Sequence, residues 1–208
     1  MRIGSRDFAT TGHTYIMGIL NVTPDSFSDG GKFNQIDAAL KHAEEMIGDG
    51  ADVIDIGGES TRPGYTKISD EEETDRVVPV IEAVKKEFEI PISVDTYKSG
   101  VAEAAAEAGA DLINDIWGLK YDARMAEVIA KSGLACCLMH NRDNTEYRNF
   151  MEDMKQNLRE TIALAKAAGI ADDKIILDPG VGFAKSYENN LEVIRRLKEF
   201  NELKYPVL

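Results

Sequence analysis

An α/β chain wound as a parallel βα barrel is what this sequence predicts, and three observations predict it. Short apolar runs alternate with helix-like stretches along the whole length. The runs are apolar throughout, as strands covered on both faces are. Almost every run ends on a polar or ionisable residue: Asn21 after YIMGIL, Glu59 after VIDIGG, Asp95 after PISV, Asn114 after ADLI, His140 after CCLM and Asp178 after KIIL. Alternating βα units imply right-handed crossovers and a parallel sheet. In a closed barrel all strand ends meet at one face, where the active site sits. An open doubly wound sheet also fits the alternation, but the GxGxxG phosphate fingerprint is absent.

The elements follow in order. Tyr15–Leu20 reads as the first strand; a Gly, Pro, Asp and Ser loop spans 21–35, and a helix runs from Ile36 to Ile47. Ala51–Ile56 is the second strand, and a helix from Asp70 to Phe88 follows a Gly/Ser/Pro loop. Ser69 with Glu72 fits a capping box at that helix start. Pro91–Val94 is the third strand and Lys98–Ala108 a helix; Asp111–Ile113 is the fourth strand and Ala123–Ser132 a helix. Leu134–Met139 is the fifth strand, before a long helix within Tyr147–Ala168. Lys174–Leu177 is the sixth, then Asn189–Phe200 is helical, and Tyr205–Leu208 opens a seventh strand. In DGADVID, EAGADLIN and KSGLACC a Gly stands between helix and strand, where a left-handed C-cap is wanted. A complete barrel has eight strands in about 250 residues. The expectation is therefore one barrel domain over 1–208, C-terminally truncated, with six βα units and the start of strand 7.

Composition narrows the function classes. The chain has 208 residues, enough for one sizeable core, and a formal net charge of −13. No basic patch or stripe appears, which argues against nucleic acid as a partner. The acidic excess lies in stretches such as DEEETD (70–75), so an anionic ligand would need local cations to offset it. Cys136 and Cys137 are adjacent in an apolar run and read as small buried strand residues. A reducing, cytoplasmic compartment is expected. No signal peptide and no membrane span is expected.

Candidate chemistry lies in the loops after the strands. In NVTPDSFSDGG (21–31), a long loop of lid type, Asn21 reads either as a turn cap or as an amide-oxygen ligand for Mg²⁺. Phe27 is the apolar residue of that loop. In GGESTRPG (57–64), two glycines allow close backbone approach, Ser60 and Thr61 offer hydroxyls, and Arg62 offers a fork for carboxylate or phosphate. Glu59 is left open between a structural hydrogen bond and chemistry. Asp95, Asn114 and Asp178 read as a recognition set: a carboxylate at a barrel mouth accepts paired N–H bonds from an amidine-like edge, and an amide adds a donor and an acceptor. Asp55 and Asp115 stay ambiguous. His140 is open among ligand, base and hydrogen-bonded residue, and Trp117 reads as core or rim packing. DPGVGFAKSYENN (178–190) adds Phe183 and Lys185, the latter either meeting an anion or solvated.

GILNVTPDSFSDGG (18–31), GADVIDIGGESTRPG (50–64), PISVDTYK (91–98), LINDIWG (112–118), Met139-His140 and ILDPGVGFAK (176–185) together closely resemble the bacterial dihydropteroate synthases. The resemblance covers nearly the whole chain. It implies a TIM barrel that joins (7,8-dihydropterin-6-yl)methyl diphosphate to 4-aminobenzoate with Mg²⁺, releasing diphosphate in folate synthesis, and that is a sulfonamide target. It implies Asn21 as the Mg²⁺ ligand and Asp95, Asn114 and Asp178 as pterin-binding. It implies Thr61 as a contact to the bound substrate and Arg62 and Pro63 as part of the aminobenzoate side, with Phe27 and Phe183 flanking that ring. Asp95 and Arg62 are the residues expected to carry the catalysis. The family's Ser-Arg-Lys segment after strand 7 and Arg-x-His segment near strand 8 have no counterpart before Leu208. The 208-residue polypeptide alone is thus expected to be poorly active, and its full-length parent to be an active homodimer. The rival readings are a methyltetrahydrofolate methyltransferase barrel, which needs neither Arg62 nor a diphosphate site, and a non-catalytic pterin-binding module.

Overall fold

Strand residues alternate between two faces, and both faces here have apolar neighbours to bury against. The computed structural model describes residues 1–23, 32–60 and 66–208, and of 32–34 the backbone alone. A hairpin of β1 (Arg2–Ile3) and β2 (Arg6–Asp7) opens the chain. Six parallel strands follow, side by side in chain order: β3 (Met17–Asn21), β4 (Val53–Gly57), β5 (Ile92–Asp95), β6 (Leu112–Asp115), β7 (Ala135–Met139) and β8 (Ile175–Asp178). Helices α1 (Lys32–Gly48), α2 (Asp70–Glu87), α3 (Ser99–Glu107), α4 (Met125–Ser132), α5 (Phe150–Ala167) and α6 (Tyr187–Arg195) alternate with them. Among the described residues β3 and β8 are the outer strands, so the sheet is an arc of an incomplete barrel. Leu177 N donates to Pro206 O and Leu208 N to Leu177 O, each at 2.9 Å, so a seventh strand begins beside β8. No helix is long and apolar enough to cross a membrane among the described residues.

The outward face of the strands builds two cores. Leu20, Ile54, Ile56, Ile92 and Val94 pack on Ala43, Val77, Ile81 and Val101 of α1, α2 and α3. Ile113, Cys136, Leu138 and Leu177 pack on Met125, Met154 and Leu158 of α4 and α5. Each such aliphatic side chain contributes about 1.5–3 kcal/mol on burial. The inward face carries Val53, Leu112, Ala135 and Cys137, and there the hairpin supplies Ile3 and Phe8 as a plug. Gly4, at φ +56°, turns that hairpin, and a Cβ there would stand 2.5 Å from the Asp111 carboxylate.

Strand and helix boundaries agree with the sequence reading to within a few residues, with three differences. The hairpin was not anticipated, because two-residue strands carry no periodicity. The helix expected over Asn189–Phe200 is two elements. Ser186 caps it earlier, accepting from Asn189 N at 3.1 Å, and α6 gives way to a tighter 3₁₀ stretch, Leu197–Leu203. That stretch sets Phe200 and Leu203 into the α4/α5 core, while Arg196 pairs with Glu192 and Glu199 across the junction. The capping box is half made. Ser69 Oγ accepts from Glu72 N at 3.1 Å, but the Glu72 carboxylate pairs with Arg76. Ser69→Ala is expected to cost about 1 kcal/mol, read as a lower urea midpoint at an unchanged slope.

Candidate active site

Register places the predicted residues. Asn21 pairs with Gly57, Gly57 with Asp95, Asp95 with Asn114, and Asn114 with Cys137 across adjacent strands. Side chains paired in this way project to the same face. Asn21, Asp95 and Asn114 therefore share one inward row, with a gap at Gly57. A Cβ at Gly57 would lie 3.4 Å from Asn21 Oδ1 and 3.7 Å from Asp95 Cβ, so glycine keeps the space between those two side chains open. Asp178 pairs with Met139, two residues beyond Cys137 on the same face and so one layer nearer the mouth. Phe27, Thr61, Arg62 and Pro63 lie outside the described residues.

Below this row lies a polar layer that the sequence reading left ambiguous. Asp55 is buried; its Oδ1 accepts from Ser93 Oγ at 2.5 Å and its Oδ2 from Asn114 Nδ2 at 3.2 Å. Asn114 thus spends a donor on Asp55 and turns its oxygen the other way. Asn114 Oδ1 and Asp95 Oδ1 are both buried without a hydrogen-bond partner. Burial, with the charges of Asp55, Glu73, Asp115 and Glu59, pushes the Asp95 carboxyl well above its ordinary value. Burial also raises Asp55 and Asp178, against hydrogen bonds that favour their charged forms. Asp115 has a structural role. It accepts from Trp117 N at 2.8 Å and Leu119 N at 2.7 Å, and burial pushes it up to about 6 despite them.

Glu59 also holds backbone. It accepts from Ile68 N at 2.7 Å, from Lys98 Nζ at 2.9 Å and from the Tyr97 hydroxyl. Lys98 donates further to Glu73 Oε2 at 2.6 Å and Ile68 O at 2.9 Å, so three acceptors meet its three N–H groups. Burial opposes charge on Glu59, yet these partners outweigh it and its pKa falls; burial wins at Glu73, whose pKa rises. Burial likewise opposes the Lys98 charge, but Glu73 and Glu59 hold its pKa above the ordinary value. This network fixes the end of the loop after β4 at Ile68, and Lys67 lies 4.5 Å over the Tyr121 ring. The sequence reading missed it: its carboxylates lie 39 and 25 residues from the lysine.

The loop after β8 is also pinned from inside. Asp178 Oδ1 accepts from Gly180 N at 2.6 Å, and Phe183 packs with Trp117 against Tyr97, Ile116 and Met139 at the mouth. Lys185 neither points to solvent nor is free for an anion: its ammonium donates to Gly180 O and Phe183 O at 2.8 and 2.9 Å. Burial pulls it down to about 8, with Asp178 opposing. His140 is fully buried beside it, with Nδ1 3.1 Å from Lys185 Nζ. Cys136 and Cys137 are free, buried thiols. Among the described residues no group of three or more His, Cys, Asp and Glu is placed to hold a metal ion.

The family described as pterin binding enzyme matches residues 17–208, so the chain belongs to the pterin-binding class. Within that class the chain belongs to the dihydropteroate synthases, transferases of folate biosynthesis. A dihydropteroate synthase of Clostridium beijerinckii is 64% identical over 208 residues, covering 100% of this chain and 77% of that protein. The crystal structure of the Clostridium difficile enzyme in the presence of pteroic acid superposes with a TM-score of 0.91 at 51% identity, over 100% of this chain and 76% of the other. The Xanthomonas albilineans enzyme with 4-aminobenzoic acid gives 0.88 at 42% identity, over 93% and 71%.

Proposed function

We propose that residues 1–208 form one pterin-binding barrel domain whose strand-end face holds (7,8-dihydropterin-6-yl)methyl diphosphate for condensation with 4-aminobenzoate. The observation that carries this reading is the pair of buried, unpartnered acceptors Asp95 Oδ1 and Asn114 Oδ1 on directly paired residues. Buried acceptors without partners are costly. The amidine-like edge of a pterin ring supplies adjacent N–H donors, and a carboxylate taking two of them is both strong and oriented. Asp178 is assigned to the same ring from one layer nearer the mouth, and Phe183 to the aminobenzoate ring. Thr61, Arg62, Pro63 and Phe27 keep the roles that the family resemblance gives them.

Mg²⁺ fits the donor set. Asn21 would hold it through its amide oxygen, which borders the Gly57 gap beside Asp95. A single protein ligand suits an ion that keeps its waters and takes substrate phosphate oxygens instead of sitting in an all-protein cage. Bound there, it would neutralise charge on the leaving diphosphate. In the reaction the methylene C–O bond breaks ahead of attack and its electron pair leaves with diphosphate. The amine nitrogen of 4-aminobenzoate then bonds to that carbon and loses a proton. The positive charge that develops spreads into the pterin ring that Asp95 and Asp178 hold, and preorganised carboxylates stabilise it; Arg62 helps form the aminobenzoate side of the site. The buried free thiols fit a cytoplasmic setting.

Isothermal titration is the test. The pterin diphosphate is expected to bind this chain with an affinity that rises with Mg²⁺, and 4-aminobenzoate to bind only after it. No heat with the pterin diphosphate, with or without Mg²⁺, would end this reading.

A further inference from the structure

The Lys185 ammonium has three N–H donors and no acceptor capacity. Gly180 O, Phe183 O and His140 Nδ1 take those donors. With the ammonium donating, Nδ1 accepts and the ring proton falls on Nε2, a buried atom with no hydrogen-bond partner among the described residues. His140 can keep that role because burial, with the charges of Lys185, Lys120 and Arg142, pushes it down to about 3. The ring is neutral at any working pH. The charged and titratable groups around the pair are Asp178 on β8, Lys120 after β6, Arg142 after β7 and Tyr147 before α5.

The segment this pair holds is strained and short. Gly180 has φ +68°, and a Cβ there would fall 2.3 Å from His140 O, so the loop runs hard against the end of β7. Ala184 has φ +46°, unusual for a residue with a side chain. Tyr147 Oη donates to Ala184 O at 2.8 Å, and Gly182 N donates to Asn190 Oδ1 at 2.7 Å. Among the described residues Lys185 ties both limbs: through Gly180 the turn that orients Asp178, and through Phe183 the aromatic rim.

We propose that Lys185 is a positioning residue and that the His140–Lys185 pair is the lock that sets the β8 loop, and with it Asp178 and Phe183, for pterin binding. The ligand readout rests on the function proposed above; the loop readout does not. The variants are Lys185→Met, His140→Leu and His140→Asn in the 208-residue chain. The readouts are the dissociation constant for the pterin diphosphate and amide hydrogen exchange over residues 179–184.

Lys185→Met and His140→Leu are each expected to weaken binding about ten-fold and to speed exchange in that segment. His140→Asn, which puts an amide oxygen near the place of Nδ1, should restore wild-type affinity. The double variant Lys185→Met/His140→Leu should bind no more weakly than Lys185→Met alone, because both remove one interaction. Wild-type affinity and protection in Lys185→Met would overturn the proposal, and so would His140→Asn binding as weakly as His140→Leu. If Lys185→Met does not fold, the two His140 variants decide by the same contrast. If the wild-type chain binds no pterin, the function proposal fails and exchange alone decides. Faster exchange in Lys185→Met then upholds the lock, and unchanged exchange ends it.

Discussion

Asp95→Asn should bind the pterin diphosphate far more weakly than the wild type and yet unfold at a higher temperature. The binding loss follows from removing one half of a buried, charge-assisted pair, which costs about 2–5 kcal/mol. The stability gain follows from what surrounds the carboxyl. Its Oδ1 has no partner, and the charges acting on it are the carboxylates Asp55, Glu73, Asp115 and Glu59. Removing a buried charge held among like charges returns about 1–3 kcal/mol. The sign with pH is fixed by the raised pKa. Below the ordinary value the carboxyl is neutral folded and unfolded. As pH rises from the ordinary value through the raised folded value, the unfolded chain gives up this proton before the folded one does, and stability is lost. The variant and the wild type should therefore melt alike near about pH 4 and diverge in the variant's favour by pH 8. Thermal melts across that range, with calorimetric binding at neutral pH, check both halves. A variant that loses affinity and stability together would show that Asp95 holds the fold and not a ligand.

Lys98→Met should give the largest loss of stability. Methionine keeps the stem's volume, so the loss isolates the charge. Glu59 and Glu73 are left buried with no cation, and breaking such a pair from one side costs about 3–5 kcal/mol. In the wild type the raised Lys98 pKa means that its contribution is fully present at neutral pH and fades only as pH rises through that value. In the variant both carboxyls resist ionisation, so the loss should shrink as pH falls and protons replace the missing ammonium. Urea unfolding at pH 5 and pH 8 measures this. Equal midpoints for variant and wild type at pH 8 would mean that the network carries no net stability.

Much of this was legible from the sequence because a parallel strand announces its end. An apolar run followed by Asn21, Asp95, Asn114 or Asp178 gives both the element and the polar residue at its end, and register then puts three of those residues in one row. Side-chain direction was less legible. Asp55 sits in mid-strand, where only the observed pairing with Ser93 reveals an inward polar layer. Lys98 and Lys185 each read as ordinary lysines beside a helix or in a loop. The partners of Lys98 lie 25 to 39 residues away and the histidine beside Lys185 lies 45 away, and no local pattern encodes those. The β1–β2 hairpin was invisible because its strands are too short for alternation, and the break after α6 because Phe200 and Leu203 fit helical spacing equally well.

Cys136 and Cys137 stand at consecutive positions on β7 and face opposite ways, one toward α4 and α5, the other into the interior that the hairpin plugs. Both are wholly buried, and burial raises Cys136 to about 12 and Cys137 well above its ordinary value, so neither offers thiolate to a reagent in the native state. One sulfur is uncovered when helices leave the sheet, the other when the plug lifts. The protein thus carries two intrinsic clocks, and the sequence in which an alkylating pulse reaches them records which side opens first.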